Sequence, residues 1–202
     1  MVRWMYPGCV WQGPKENAAI YISFDDGPNP GTTPFILQQL SKYGARATFF
    51  CLGKNVDLWP ELYSRILEQG HRVGNHTQHH LNGWKTGTKS YLEDIRQAGN
   101  RISSNLFRPP YGRISRSQIR ALSGKKDSGG QAFRIIMWDV LSADFDRGIT
   151  GKKCLENVVR YASPGSIVVF HDSDKAKERM SYALPGVLDH FSSRGYSFGV
   201  IS

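Results

Sequence analysis

The chain has 202 residues and is poor in cysteine, holding only Cys9, Cys51 and Cys154. An odd number cannot pair off internally, and the spacings form neither a CxxC zinc motif nor a disulfide framework. Cys51 follows Thr48-Phe49-Phe50 in an apolar run, so it reads as a buried small hydrophobe rather than a nucleophile. Long apolar runs are also missing. No segment reaches the ~18 apolar residues that a spanning helix needs, which excludes a transmembrane segment. Residues 1–17 contain some apolar positions, but Pro7, Gly8 and Gly13 interrupt them before a signal-peptide core can form. The cytoplasm is therefore the default expectation, with association with the cell envelope left open. Acidic residues are the scarcer sign, 17 Asp+Glu against 26 Lys+Arg, for a net charge of +9. The basic residues are scattered, and the densest run is only the pair Lys125-Lys126. With no basic helix and no aromatic-laced basic stripe, the charge points to solubility and a leaning toward anionic surroundings, and no nucleic-acid partner is expected.

What is present is the composition of a folded globular protein, 40% hydrophobic and 21% charged. Apolar runs of strand length alternate with helix-period segments, as in parallel βαβ units. Strands are expected at 18–24, 47–52, 72–75, near Phe107, and at 133–140, 166–170 and 196–201, about seven in all. Thr33-Pro34 opens the first helix with an N-cap and an early proline, and Gly44 closes it. A second helix starts at Trp59-Pro60 and stops at Gly70. Tyr91, Leu92, Ile95, Ala98 and Ile102 recur at helical spacing, and further helices are expected over 115–122, 152–161 and 185–191. Residues 124–131, GKKDSGGQ, read as a polar loop. Without repeats or linkers, one α/β domain over 18–202 is expected, preceded by an N-terminal extension, 1–17. The polar clusters fall where strands end, which favours a parallel (β/α) barrel whose strand ends converge on one face.

Those clusters carry the chemistry. The first strand ends in Asp25-Asp26-Gly27-Pro28. Two adjacent carboxylates repel unless a positive group is near, and one could hold a metal while the other stays free as a base. The third strand leads into Asn75-His76-Thr77-Gln78-His79-His80, where His76 and His80 would share one face of a helical turn and suit zinc. Spacing also permits His76 with His79. Arg108-Pro109-Pro110-Tyr111-Gly112 is stiff, supplies the missing positive charge, and could aim the Tyr111 backbone N–H at a developing oxyanion. His171, after the strand ending Val169-Phe170, is suited to protonate a leaving amine, with a carboxylate such as Asp144 raising its pKa.

With these segments in order, SFDDGP, HTQHH, RPPYG, WDVLSADF and IVVFHD, the chain resembles the polysaccharide deacetylases, carbohydrate esterase family 4, over about residues 18–201. The resemblance implies a distorted (β/α) barrel and a metal, usually zinc, with Asp26, His76 and His80 as its ligands and His79 a bystander. It also implies Asp25 as general base, Arg108 orienting it, Tyr111 donating to the oxyanion, and His171 as general acid tuned by Asp144. Tyr111, Trp138 and Val169 would line the substrate site. Ser23 stands where threonine is usual, and Leu141 and Phe145 replace an Asp and a Trp common around the fourth motif, which alters the expected sugar groove. Val169 replaces a leucine of the acetyl-methyl pocket, so a small acyl group is still implied. The expected substrate is an N-acetylated glycan of peptidoglycan or chitin type. Two rival readings are hydrolysis of a cyclic ureide or other small amide on the same scaffold, and an inactive carbohydrate-binding protein. The latter usually lacks an Asp, His or Arg of the set, and none is lacking here.

Overall fold

The structure is a computed structural model that describes residues 6, 8–16, 18–124 and 132–202. The chain runs β1 (Ala19–Asp25), α1 (Thr33–Lys42), β2 (Thr48–Cys51), α2 (Gly53–Leu58), α3 (Pro60–Glu68), β3 (Arg72–Asn75), α4 (Thr88–Gly99) and β4 (Leu106–Phe107). It continues α5 (Arg116–Ser123), β5 (Arg134–Ile135), β6 (Val140–Leu141), α6 (Gly151–Tyr161), β7 (Ile167–His171), α7 (Lys177–Ser192) and β8 (Ser197–Phe198). All strand pairings among the described residues are parallel, in the order β5-β4-β3-β2-β1-β7-β6, with β8 against the start of β1.

Successive strand residues point to opposite faces, and β1 is buried on both. Ile20, Ile22 and Phe24 pack outward with α1 and α7 residues such as Leu37, Leu40, Leu184 and Leu188. Phe24 stacks between Phe49 of β2 and Phe170 of β7, with centroids at 5.1 and 6.0 Å. The alternate residues Ala19 and Tyr21 face the barrel interior with Phe50, Leu106, Ile136, Trp138 and Val169. Ser23 and Asp25 continue that inward row, so the period of the strand itself delivers a carboxylate to the mouth of the barrel.

The stretch 133–140, expected as one strand, is two. Its first part, β5, pairs with β4 at one edge of the sheet, and β6 pairs with β7 at the other. Residues 136–139 cross between the edges, which is why a continuous apolar run does not make a continuous ladder. The segment read as an extension fills this gap: Val10 N–H donates to Ile135 O at 2.8 Å, and Met137 N–H to Val10 O at 2.7 Å. Gln12 bridges to Ser166 and donates through Nε2 to Asp139 Oδ2 at 2.7 Å. Asp139 also accepts from Ser166 Oγ and the Ile167 N–H, so it serves the start of β7, away from the strand ends that carry the site.

Three helix expectations need correction. Thr33 is not a cap: Thr32 occupies that position without a side-chain cap bond, and both hydroxyls donate to Asp172 instead, each at 2.6 Å. The last helix starts at Lys177, two turns earlier than Pro185, which sits inside it. A short helix, α2, lies where no helix was expected, before Pro60. Most of the loop expected over 124–131 lies outside the described residues.

Candidate active site

Arg108 follows β4 and is fully buried inside the barrel. Burying a guanidinium is costly unless its donors are satisfied and its charge paired. Its Nη1 donates to Asp25 Oδ1 and to Ser23 Oγ, both at 2.7 Å, its Nη2 to Met137 O at 3.1 Å, and its face lies 4.0 Å from the Phe50 centroid. The Ser23 hydroxyl in turn donates a hydrogen bond to Val168 O at 2.8 Å. Arg108 is thus the positive partner the Asp pair required, and it bonds Asp25, not Asp26.

Asp26 leaves the strand with φ 80°, a left-handed conformation costly for a side chain-bearing residue, and its carbonyl is held by Asn55 Nδ2 at 2.7 Å. This turn swings its carboxylate away from Asp25 toward two histidines. Its Oδ1 lies 3.3 Å from His80 Nε2 and 3.7 Å from His76 Nε2. Residues 76–80 are not helical as the spacing had suggested; Thr77 and His80 have φ of 70° and 61°, and a looped backbone brings the two rings together instead. Asn75 supports this loop by accepting the Thr77 N–H at 2.8 Å and donating to Ile95 O at 2.9 Å. His79 points elsewhere, its Nδ1 2.6 Å from Asp94 Oδ1, so the rings that approach Asp26 are those of His76 and His80.

The three residues fit a metal. One ligand atom from each of Asp26, His76 and His80 lies within 4.8 Å of the others, and they are the only such group among the described residues. Separations near 3.5 Å are those between ligand atoms about 2 Å from a shared zinc-like ion. Asp26 Oδ1 is buried with no hydrogen-bond partner, a cost that an ion would remove. His76 Nδ1 contacts Arg108 O at 2.8 Å and His80 Nδ1 contacts the Tyr111 hydroxyl at 3.1 Å, which leaves both Nε2 atoms to face Asp26. Burial holds the His76 pKa down to about 4 against the pull of Asp25 and Asp26, so the ring is neutral, as a ligand must be. Burial pushes the Asp26 carboxyl up, but His80, His171 and His76 outweigh it and keep the group ionised.

On the opposite wall, Asp144 receives the His171 backbone N–H on Oδ2 and contacts His171 Nδ1 with Oδ1, both at 2.7 Å. Burial would depress the His171 pKa, yet Asp144, through charge and hydrogen bond, with Asp26 and Asp25 behind it, raises it to about 9. Tyr111 has φ 61° in the turn after the paired prolines, and its ring is exposed at the rim. One cavity of about 510 Å³ is lined by Asp25, Asp26, His76, His80, Tyr111, Trp138, Val169 and His171, with Leu141 and Phe145 beside them. Of the residues expected to catalyse, hold the metal or line the substrate site, only Arg108 and Asp144 stand behind this wall rather than on it.

Four contributors were missed. Asp94 holds the His76–His80 loop by accepting the Gln78 and His79 N–H groups as well as the His79 ring. Its signal was available, since it is a carboxylate on the same buried stripe of α4 as Tyr91, Ile95 and Ala98. Asp172, next to His171, is fully buried and ties β7 to α1 through Thr32 and Thr33. Arg113 and Lys175 add two cations to the cavity wall.

The family model described as polysaccharide deacetylase matches residues 12–125. The chain is 32% identical over 200 residues to a peptidoglycan-N-acetylglucosamine deacetylase of Bacillus cereus, covering 96% of this chain and 91% of that protein. It is also 32% identical over 171 residues to a chitooligosaccharide deacetylase of a Bradyrhizobium species, covering 81% and 74%. Among solved structures, a peptidoglycan N-acetylglucosamine deacetylase in complex with a naphthalenyl N-oxidanyl-benzamide superposes with a TM-score of 0.86 at 28% identity, covering 96% and 91%. The peptidoglycan deacetylase PdaC of Bacillus subtilis gives a TM-score of 0.80 at 29% identity, covering 93% and 90%.

Proposed function

The chain belongs to the polysaccharide deacetylase family, and on that premise we propose that it is a metal-dependent N-deacetylase. It hydrolyses the acetamide of N-acetylglucosamine units in a glycan of the peptidoglycan or chitin type and releases acetate. The observation that supports this most is the meeting, in one cavity, of a carboxylate–guanidinium pair, an Asp–His–His group and an Asp–His pair.

Asp26, His76 and His80 would hold a divalent ion, zinc being well suited to one oxygen and two nitrogen donors, and such an ion would supply Lewis acidity toward water and the amide carbonyl. Arg108 holds one oxygen of Asp25, and the other takes a proton from the attacking water as the new C–O bond forms. The Tyr111 backbone N–H donates to the negative oxygen that develops on the former carbonyl. His171, its Nδ1 on Asp144 and its ring protonated at neutral pH, gives a proton to the nitrogen as the C–N bond breaks. Acetate and a free amino sugar leave. Trp138 and Val169 line the apolar side of the cavity, where the acetyl methyl group would sit.

Incubation with N-acetylated chitin oligomers and with peptidoglycan, with zinc or with a chelator, tests this reading. Acetate should appear only where metal is present. Equal release in the chelated enzyme, or none from any N-acetylated glycan, contradicts it.

A further inference from the structure

Resting on that deacetylase reading, we infer that the rim of the cavity carries a carboxylate-recognition site centred on Arg113, which takes an acidic substituent next to the N-acetylated sugar. Arg113 lines the cavity and makes no ion pair among the described residues, unlike Arg96, Arg101, Arg108 and Arg179. It is held by its neighbours' ring faces instead. Its guanidinium carbon lies 5.3 Å from the Trp84 centroid and 5.9 Å from that of Tyr111.

Both rings are themselves fixed. The Trp84 indole N–H donates to Ile114 O at 3.1 Å, and the Tyr111 hydroxyl meets His80 Nδ1 at 3.1 Å. Both stand out as large apolar side chains exposed to solvent, 59% for Trp84 and 60% for Tyr111, which is the state of a platform rather than of core. A guanidinium held through its face keeps its in-plane N–H donors for a partner, and the planar fork matches a carboxylate.

The position is consistent with this use. Gly112, at φ 65°, has Trp138 2.8 Å from where a Cβ would stand, so the turn packs tightly on the cavity wall and carries residue 113 over its edge. The Tyr111 ring lies between Arg113 and His80, its centroid 5.9 Å from the Arg113 guanidinium carbon and 4.6 Å from the His80 ring centroid. The floor of the cavity carries Asp25 and Asp26, and an anionic substrate approaching them gains from a cation at the rim. A neutral chitin oligomer would use the two rings and leave Arg113 without a function.

Three tetrasaccharides test this: N-acetylchitotetraose, an alternating N-acetylglucosamine oligomer whose second sugars carry lactyl carboxylates, and the same oligomer with those carboxylates converted to amides. The wild-type chain should favour the acid over its amide by about tenfold in kcat/KM, the value of one charge-assisted contact. Arg113→Gln should bring that ratio close to one. Arg160→Gln, which removes an equal charge from the exposed C-terminal end of α6, should keep the wild-type ratio. A wild-type ratio near one, or a ratio preserved in Arg113→Gln and lost in Lys175→Gln, overturns the assignment while deacetylation stands. Absence of acetate from all three substrates overturns the deacetylase reading itself.

Discussion

Single residues carry the division of labour in the Asp25-Asp26 pair. Sequence alone allowed either carboxylate on a metal and either as base. The structure separates them by conformation, since Asp25 ends the inward row of β1 against Arg108 while Asp26 turns out at φ 80° toward His76 and His80. Arg108→Met should cost about 3–5 kcal/mol of stability, because it leaves Asp25 charged and buried without a partner. A chemical denaturation midpoint unchanged from wild type would contradict the role given to this pair. Asp144 can be separated from folding by pH. It raises the His171 pKa to about 9, so His171 stays protonated at neutral pH and loses its proton only in alkali. In Asp144→Asn the alkaline limb of kcat should move to lower pH, toward the ordinary histidine range near 6.5. A limb that stays in place assigns it to another group.

Elements account for what was and was not legible. Proline and glycine signals located α1 and α3 closely, because these residues act locally. The β5–β6 run misled because pairing depends on partners far away in sequence: the same apolar stretch serves opposite edges of the sheet. Histidine type and spacing pointed to a metal-holding pair without choosing between His79 and His80, and the loop geometry was not legible, since a left-handed residue at Thr77 cannot be read from a threonine. Asp172 joins β7 to α1, and burial foremost raises its pKa to about 7 despite two threonine donors. The folded chain then holds a proton that the unfolded chain releases near pH 4, so the stabilisation is full below that and lost as pH rises through 7. Denaturation midpoints at pH 4 and 8 should therefore differ less in Asp172→Asn than in wild type. An identical difference in both proteins would remove Asp172 from this account.

At the scale of the molecule, the parallel barrel was legible because five polar clusters recur at strand ends, and a parallel sheet brings such ends to one face. Its closure was not legible, since residues 10–13 were read as part of an N-terminal extension and instead bridge the gap between β5 and β7. The fold thus brings residues from positions 25 to 171 into one cavity, where Asp25 and His171 line the wall together with the Asp26, His76 and His80 group. That arrangement makes binding of the ion and chemistry separable. The measurement that tests it most directly is zinc content and acetate release in Asp25→Asn. The account predicts about one zinc per chain, as in wild type, with acetate release from N-acetylated glycan lowered by about a hundredfold or more. Wild-type release from the zinc-loaded variant would contradict it.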